Sequence, residues 1–520
     1  MKLWIASMEC AGIIEAGGVK NVTLALCKEF SLLKNDTTLF IPVFKTNCWE
    51  LIYDYEKSGS LETQINHCNH CEKIIYRKAK CTEGNFNIVF INNPAFAEKE
   101  DIYTYTENEQ KQNPEFIKGK GHKDTLFMDS LFAKAVSQYI NFIGESEYPD
   151  IIHCQDASCA LIPSFVKTNP LFNNTKTVVT IHNAGPAYHH NFSSIGEAAW
   201  YTGLNEGILS DAVNETKVEP FLLALNSGAY LTTVSEDYAK ELLDPVYKNE
   251  TEGLSSIFFS RYTSIKGITN GIDYERYNPT DKKVSLLPFE FNPETLDLKG
   301  KYECRKYFIN EILNSRFNSE LPLCGNINTS DFENDIFLMY HGRITQQKGI
   351  NVLIEAIPAI LNNFKNVKFI ICGKGEISLE KSIIEICSKF NGKVAFINGY
   401  DRQIARLINC SGDFIVLPSF FEPCGLEDLI SQLYGTLPVA NKTGGLNKII
   451  DRKTGFLYEN NTSQNLIAKL SEIITLKINC PEVIQKMIQE AAVYVHKNYL
   501  WKNVIQNKYI PFFEEILKKV

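Results

Sequence analysis

The chain has 520 residues, 44% hydrophobic and 22% charged, which is enough apolar content for two or three domains with a core each. Its formal net charge of −8 comes without a long basic run, which argues against a nucleic-acid surface and leaves any anionic substrate to local lysines, arginines and backbone amides. No stretch approaches the length of a membrane span and no basic-then-apolar leader opens the chain, so the fifteen cysteines are expected as reduced thiols of a cytoplasmic protein without membrane contact.

Residues 2–7 read as a strand, Gly17-Gly18 as a turn and residues 21–30 as a helix, which together make the first unit of a doubly wound α/β fold. Paired glycines serve a tight turn or the close approach of a ligand, and their place after the first strand favours the ligand. Strands are expected over 38–43 and 86–91, and a helix over 124–144. Between them His67-Cys68-Asn69-His70-Cys71, with Cys81 downstream, lacks a second ligand pair at zinc spacing and is expected to be a loop rather than a metal site. Two short strands then end in polar groups, one at Gln155-Asp156 and one at His182-Asn183. A histidine within an apolar strand is ordinarily a hydrogen-bonded core residue, whereas one at the carboxyl end of a strand is a site candidate. Residues 230–235 and 265–273 read as the last strands of this half.

Residues 277–334 lack a βα rhythm and read as an interdomain segment carrying one helix. A second βα series begins with Ile336-Phe337-Leu338-Met339-Tyr340-His341-Gly342-Arg343 and a helix after Gln347-Lys348-Gly349, with further strands over 367–373, 394–397 and 414–417. The last of these leads into Ser419-Phe420-Phe421-Glu422-Pro423-Cys424-Gly425-Leu426, which places a carboxylate above a buried strand. Another apolar run, 437–440, leads into Lys442-Thr443-Gly444-Gly445, whose bare amides suit an anion. The aromatic segment 499–520 reads as a helix returning to the first half, which divides the chain into 1–275, 276–498 and 499–520. No G-x-G-x-x-G follows a strand with an acid about twenty positions on, and no G-x-x-x-x-G-K-[ST] occurs, which argues against a dinucleotide oxidoreductase and a P-loop nucleotidase.

Taken in order, Thr180-Ile181-His182-Asn183, Thr233-Val234-Ser235, Asn270-Gly271-Ile272-Asp273, Arg343-Ile344-Thr345-Gln346-Gln347-Lys348-Gly349, Phe421-Glu422-Pro423-Cys424-Gly425-Leu426, Tyr434-Gly435-Thr436-Leu437-Pro438-Val439 and Lys442-Thr443-Gly444-Gly445-Leu446 resemble the bacterial glycogen synthase and plant starch synthase family over the whole chain. The resemblance implies a GT-B fold, two Rossmann-like domains facing each other across a deep cleft. It further implies retaining transfer of glucose from ADP-glucose to the non-reducing end of an α-1,4-glucan, with no metal and no cofactor. Arg343 and Lys348 then match a phosphate-binding pair, Glu422 the carboxylate on the donor glucose, and His182 a group near its 6-hydroxyl; these four are the catalytic candidates. Gly17, Gly18, Asn270, Cys424, Gly425, Leu426, Thr443, Gly444 and Gly445 match donor-binding positions, and Asp156 and Asn183 the acceptor side. Tyr400 matches the aromatic that stacks on adenine, with core packing the competing role.

The chain also departs from the family pattern. Glu15 stands where the family has lysine, Gln155 and Ala157 where it has histidine and tryptophan around the acid, and Phe420 where it has arginine. Glu427-Asp428 replaces a Thr-Gln pair, Ile430 a tyrosine or, in sucrose-type relatives, a glutamate, and the turn over 184–190 is longer than usual. These changes keep two alternatives open: a related transferase using UDP-glucose or another acceptor, and a low-activity glucan-binding regulatory homologue.

Overall fold

Strand Lys2–Ala6, Lys-Leu-Trp-Ile-Ala with all but its first residue buried, sits in the middle of a nine-stranded sheet. The computed structural model describes every residue except 66–69, 187, 315–320 and 520. From edge to edge the sheet runs Ile265–Gly267, Tyr230–Thr233, Lys176–Ile181, Ile151–Gln155, Lys2–Ala6, Asp36–Pro42, Asn87–Asn92, His70–Cys81, Ile52–Ile65. Neighbours pair in parallel as far as Asn87–Asn92, and the last two strands are antiparallel. Parallel strands with helices on both faces need side chains that are apolar in both directions, and this explains the nearly continuous Ile, Val and Leu of these segments.

The antiparallel hairpin Ile52–Ile65 with His70–Cys81 is absent from the sequence reading, because its residues are mostly polar and partly exposed. It corrects the expected loop: His70 and Cys71 open the strand His70–Cys81, and Cys81 is buried. His67, Cys68 and Asn69 lie outside the described residues. Every described cysteine is a free thiol.

The described chain falls into two units, Met1–Ile268 with Val504–Val520, and Thr269–Asn503. In the second, seven strands run Leu323–Gly325, Val394–Asn398, Val367–Gly373, Ile336–His341, Phe414–Leu417, Leu437–Asn441, Phe456–Tyr458, all parallel except the first. Residues 277–334 are therefore more than a connection, since Leu323–Gly325 is an edge strand of this sheet. Helix Lys299–Tyr307 within the same segment sends two buried basic side chains to the loop that starts Phe414–Leu417, and burial lowers the Lys301 pKa to about 7. Lys301 Nζ donates to the carbonyls of Cys410 (2.5 Å) and Gly412 (2.8 Å), and Arg305 donates to Ser411 O (2.6 Å) and Asp413 (2.9 Å). Buried basic groups are tolerated only when satisfied in this way, and here they anchor the strand that leads into the turn holding Glu422.

Residues after Asn503 return to the first unit. Phe513 stacks on Phe30 of the first helix (5.5 Å between centroids), and Tyr509 and Phe513 both pack beside His153. Burial lowers the His153 pKa to about 3, so it is neutral at pH 7. Among the described residues no helix is long and apolar enough to cross a membrane.

Each sheet has a point where two neighbouring parallel strands send their connections to opposite sides. In the first this point lies between Lys2–Ala6 and Ile151–Gln155, in the second between Ile336–His341 and Phe414–Leu417. The loops leaving the carboxyl ends of strands flanking such a point diverge and open a crevice, which is where α/β sheets bind ligands. The candidates are distributed accordingly: Gly17, Gly18, Asp156, His182 and Asn183 follow strands of the first sheet, and Arg343, Lys348, Glu422 and Gly444-Gly445 follow strands of the second.

Candidate active site

In the second unit the chain leaves Phe414–Leu417, makes the turn holding Glu422 and enters helix Glu427–Leu433. Glu422 is largely buried, and its Oε2 forms a short ion pair with Lys348 and accepts from Ser419 Oγ (3.1 Å). Burial opposes ionisation of Glu422, but the Lys348 ammonium, the Ser419 hydroxyl and the more distant Lys448 outweigh it and hold the carboxyl below its ordinary value. Lys348 reaches this position from the turn before helix Ile350–Asn363, whose first cap, Gly349, has φ +68°. A Cβ at Gly349 would lie 1.7 Å from Pro418 O, so any other residue would separate the two turns. Arg343 is exposed and donates to Gln347 Oε1 (3.2 Å).

The second glycine turn differs from its expected form. Gly445 N–H donates to Glu422 O (2.7 Å), and a Cβ there would lie 2.0 Å from Cys424 O. This amide therefore couples the two turns and is not bare to an anion. Thr443 Oγ1 donates to Phe420 O (3.2 Å), which adds a second tie. A third comes from Lys448, which the sequence reading did not single out. Its buried Nζ donates to the carbonyls of Cys424 (2.6 Å), Gly425 (2.9 Å) and Gly445 (2.8 Å) and pairs with Asp428 at 3.0 Å. Burial raises the Asp428 pKa to about 6 against the opposing pull of Lys448. Leu426 closes the turn at the start of helix Glu427–Leu433.

Asn270 is buried, and its backbone N–H faces the Cys424 sulfur, so it joins the same turn. Tyr400 has 70% of its surface exposed and a ring centroid 5.9 Å from that of His341. That exposure disfavours the core-packing role and leaves an aromatic face available.

In the first unit Asp156 follows Ile151–Gln155 with φ 64° and ψ −176°, a backbone region that costs a non-glycine residue about 1–3 kcal/mol. The surrounding bonds hold it there: Asp156 N–H donates to Thr180 O (2.9 Å), and its Oδ1 accepts from the His182 N–H (3.4 Å). His182 Nε2 contacts Gln155 Oε1 at 2.9 Å, and burial lowers the His182 pKa to about 4, so the ring is neutral and its tautomer is set by the amide. Asn183 Oδ1 accepts from Gly185 N–H (2.8 Å) and shapes the following turn.

The cavity beside Asp156, about 830 Å³, is bounded by Glu9, Gly17, Gly18, Tyr103, Ala157 and His190 among others. Glu9 occupies the first glycine turn with its own carboxyl group: Oε2 accepts from Ala16 N–H (3.0 Å) and Gly17 N–H (2.6 Å), and Oε1 from Tyr103 (3.2 Å). Burial nonetheless raises its pKa. Gly17 thus binds an internal carboxyl group, while Gly18 has open space where a side chain would be. Glu15, the charge-reversed position, accepts from Gly12 N–H (2.7 Å) and pairs with Lys20 at 2.9 Å. The longer turn supplies His190, 2.5 Å from Asp129, and His189, 2.7 Å from the buried Glu219.

Burial pushes the Asp156 carboxyl up to about 7, against the nearby His190 and the N–H groups of His182, Ala157 and Asn183. Because the folded pKa exceeds the ordinary value, this group contributes stability that is complete below about pH 4 and is lost as pH rises through 7. Asp156→Asn removes that slope. The variant's melting temperature relative to wild type is expected to rise by several degrees between pH 5 and pH 8, and a pH-independent difference would refute the assignment.

Known proteins resemble the chain along its whole length. Residues 2–256 match the family model for the starch synthase catalytic domain, and residues 327–493 that for glycosyl transferases group 1. The glycogen synthase of Thermodesulfovibrio yellowstonii is 30% identical, covering 99% of this chain and 98% of the relative. That of Vibrio cholerae is 27% identical, covering 97% and 96%. Among solved structures, the catalytic domain of starch synthase IV from Arabidopsis thaliana, bound to ADP and acarbose, superposes with a TM-score of 0.79 at 21% identity and covers 99% of both chains. Sucrose-phosphate synthase from Thermosynechococcus elongatus gives a TM-score of 0.53 at 14% identity, covering 99% and 98%.

Proposed function

The chain belongs to the glycogen synthase and starch synthase family, and we propose that it moves glucose from ADP-glucose to the non-reducing end of an α-1,4-glucan with retention of configuration. It is a glycosyltransferase, and its activity is glucosyl transfer in glycogen or starch synthesis. The observation that carries the finer reading is the Lys348–Glu422 pair at the carboxyl end of Phe414–Leu417, with Arg343 exposed beside it. As the bond to the leaving diphosphate breaks, negative charge grows on phosphate oxygen and positive charge on the sugar ring. Arg343 and Lys348 meet the first charge. Glu422 holds the glucose hydroxyls and balances the second. No metal takes part in this reading, since the two cations take that role.

Neutral His182 is assigned to the 6-hydroxyl of the glucose, and Asp156 with Asn183 to the acceptor. ADP as the leaving nucleotide is supported by the solved starch synthase IV, which holds ADP. A reducing, cytoplasmic setting is supported by the free thiols of every described cysteine. A second reading keeps the reaction and changes the acceptor. It is favoured by Ala157, which stands where the family has tryptophan and lines the 830 Å³ cavity.

Purified protein given labelled ADP-, UDP- or GDP-glucose with glycogen is expected to lengthen the glucan, with the highest kcat/KM for ADP-glucose. Transfer from none of the three would overturn the proposal. Transfer only to a different α-glucoside would select the second reading.

A further inference from the structure

We propose that Glu427 holds the ribose diol of the donor nucleotide, with His341 and Asn409 orienting its carboxylate. The inference rests on the nucleotide-sugar reading above and assigns a role to a residue at which the chain departs from its family. Glu427 is the first residue of helix Glu427–Leu433, so the turn that ends in Glu422 also delivers it. Asn409 Nδ2 donates to Oε2 (2.8 Å), and the His341 Nδ1 lies 3.1 Å from the same oxygen at ion-pair distance. No donor among the described residues engages Oε1. A third of the side chain remains exposed (33%), and it opens into the small pocket it shares with His341, Lys348 and Glu422.

The surroundings fix what this oxygen can meet. The exposed Tyr400 lies beside the His341 ring, 5.9 Å between centroids. Lys348 lines the same pocket as Glu427, with Arg343 on its turn. A flat aromatic suits a base and the cations suit a diphosphate. In a nucleoside diphosphate the group linking the two is the ribose, which offers two adjacent hydroxyl donors. An ionised carboxylate is an acceptor only, and it suits such a diol.

An acid close to a diphosphate needs neighbours that stabilise its charge. Burial opposes the ionisation of Glu427, but His341, Asn409 and Arg406 outweigh it and keep the carboxyl below its ordinary value. The same pair raises the His341 pKa against the effect of burial. Glu427 therefore keeps its acceptor character, with the His341 ring beside it.

The test is calorimetric binding of ADP, 2′-deoxy-ADP and 3′-deoxy-ADP to wild type, Glu427→Gln and Glu427→Ala. Wild type is expected to lose about 10- to 100-fold in affinity for each missing hydroxyl, the range for a hydrogen bond to a charged group. In Glu427→Ala, ADP binding is expected to weaken by a similar factor, and the three nucleotides to become indistinguishable. Glu427→Gln keeps an acceptor oxygen and its bulk, and is expected to recover part of the discrimination, a rescue that a merely structural partner of His341 would not show. If Glu427→Ala and Glu427→Gln discriminate against the deoxy nucleotides as strongly as wild type does, the proposal fails while the nucleotide reading stands. If wild type binds none of the three, the nucleotide reading fails and the proposal with it.

Discussion

Glu422→Ala is expected to lower kcat for glucosyl transfer by about 100- to 1,000-fold, the loss typical of removing one preorganised charge from a transition state. A carboxylate about 5 Å from a sugar ring carrying unit positive charge, at an effective dielectric near 20, is worth about 3 kcal/mol, which agrees with that range. The variant has an opposing effect. It frees the Lys348 ammonium, now paired with Glu422, for a phosphate oxygen. ADP binding is therefore expected to stay within about tenfold of wild type while kcat falls, because the carboxylate acts on the sugar and not on the nucleotide. Glu422→Gln preserves shape and the bond from Ser419, and is expected to show most of the same loss, which separates charge from packing. Steady-state kinetics with ADP-glucose, with circular dichroism to check the fold, decides the matter. A kcat within tenfold of wild type in both variants would remove Glu422 from the mechanism.

Lys448→Met is expected to destabilise the second unit by about 3–5 kcal/mol, since it leaves the fully buried Asp428 without its cation. It also strips three carbonyls of their donor and loosens the two turns that flank Glu422. For a unit of this size the change corresponds to roughly a 10 °C fall in melting temperature. The double variant Lys448→Met with Asp428→Asn is expected to recover part of the loss, since no buried charge remains. The pH dependence has a definite sign. Asp428 already has a folded pKa near 6, above its unfolded value, and losing Lys448 raises it further. The single variant's deficit is therefore expected to shrink as pH falls from 7.5 to 5 and the carboxyl takes up its proton. A Lys448→Met protein that melts with wild type at pH 7.5 would show that the pair contributes nothing net.

How much of this was legible in the sequence depends on the range of the interaction. Val367–Gly373 and Phe414–Leu417 lie at the expected boundaries because strands buried on both faces announce themselves as unbroken apolar runs. The turn around Glu422 was legible because its glycines are demanded by close backbone approach. The hairpin after Ile52 was missed because its residues are polar and exposed, so no apolar period marks it. Side-chain pairings across the fold leave even less trace: His190 and Asp129 are 61 residues apart, and His189 and Glu219 are 30 apart. A usable signal was present nonetheless. Asp428 and Lys448 each stand next to Leu or Ile in a stretch that is otherwise buried, and a charge in such a stretch calls for a partner. Glu9, in Ala-Ser-Met-Glu-Cys-Ala, carried the same mark, and it accounts for the Gly17 amide that was expected to be free for a ligand.

The return of residues 504–520 to the first unit makes the second unit an insertion within the first. On the ribosome this sets an order of assembly. Residues 269–503 emerge as one contiguous stretch and can complete their sheet as soon as they are out. The first unit, although made earlier, holds Phe30 uncovered until Phe513 has been synthesised. For as long as translation takes to cross the inserted stretch, the earlier half waits with an apolar face open, and it is the half a chaperone would be expected to hold.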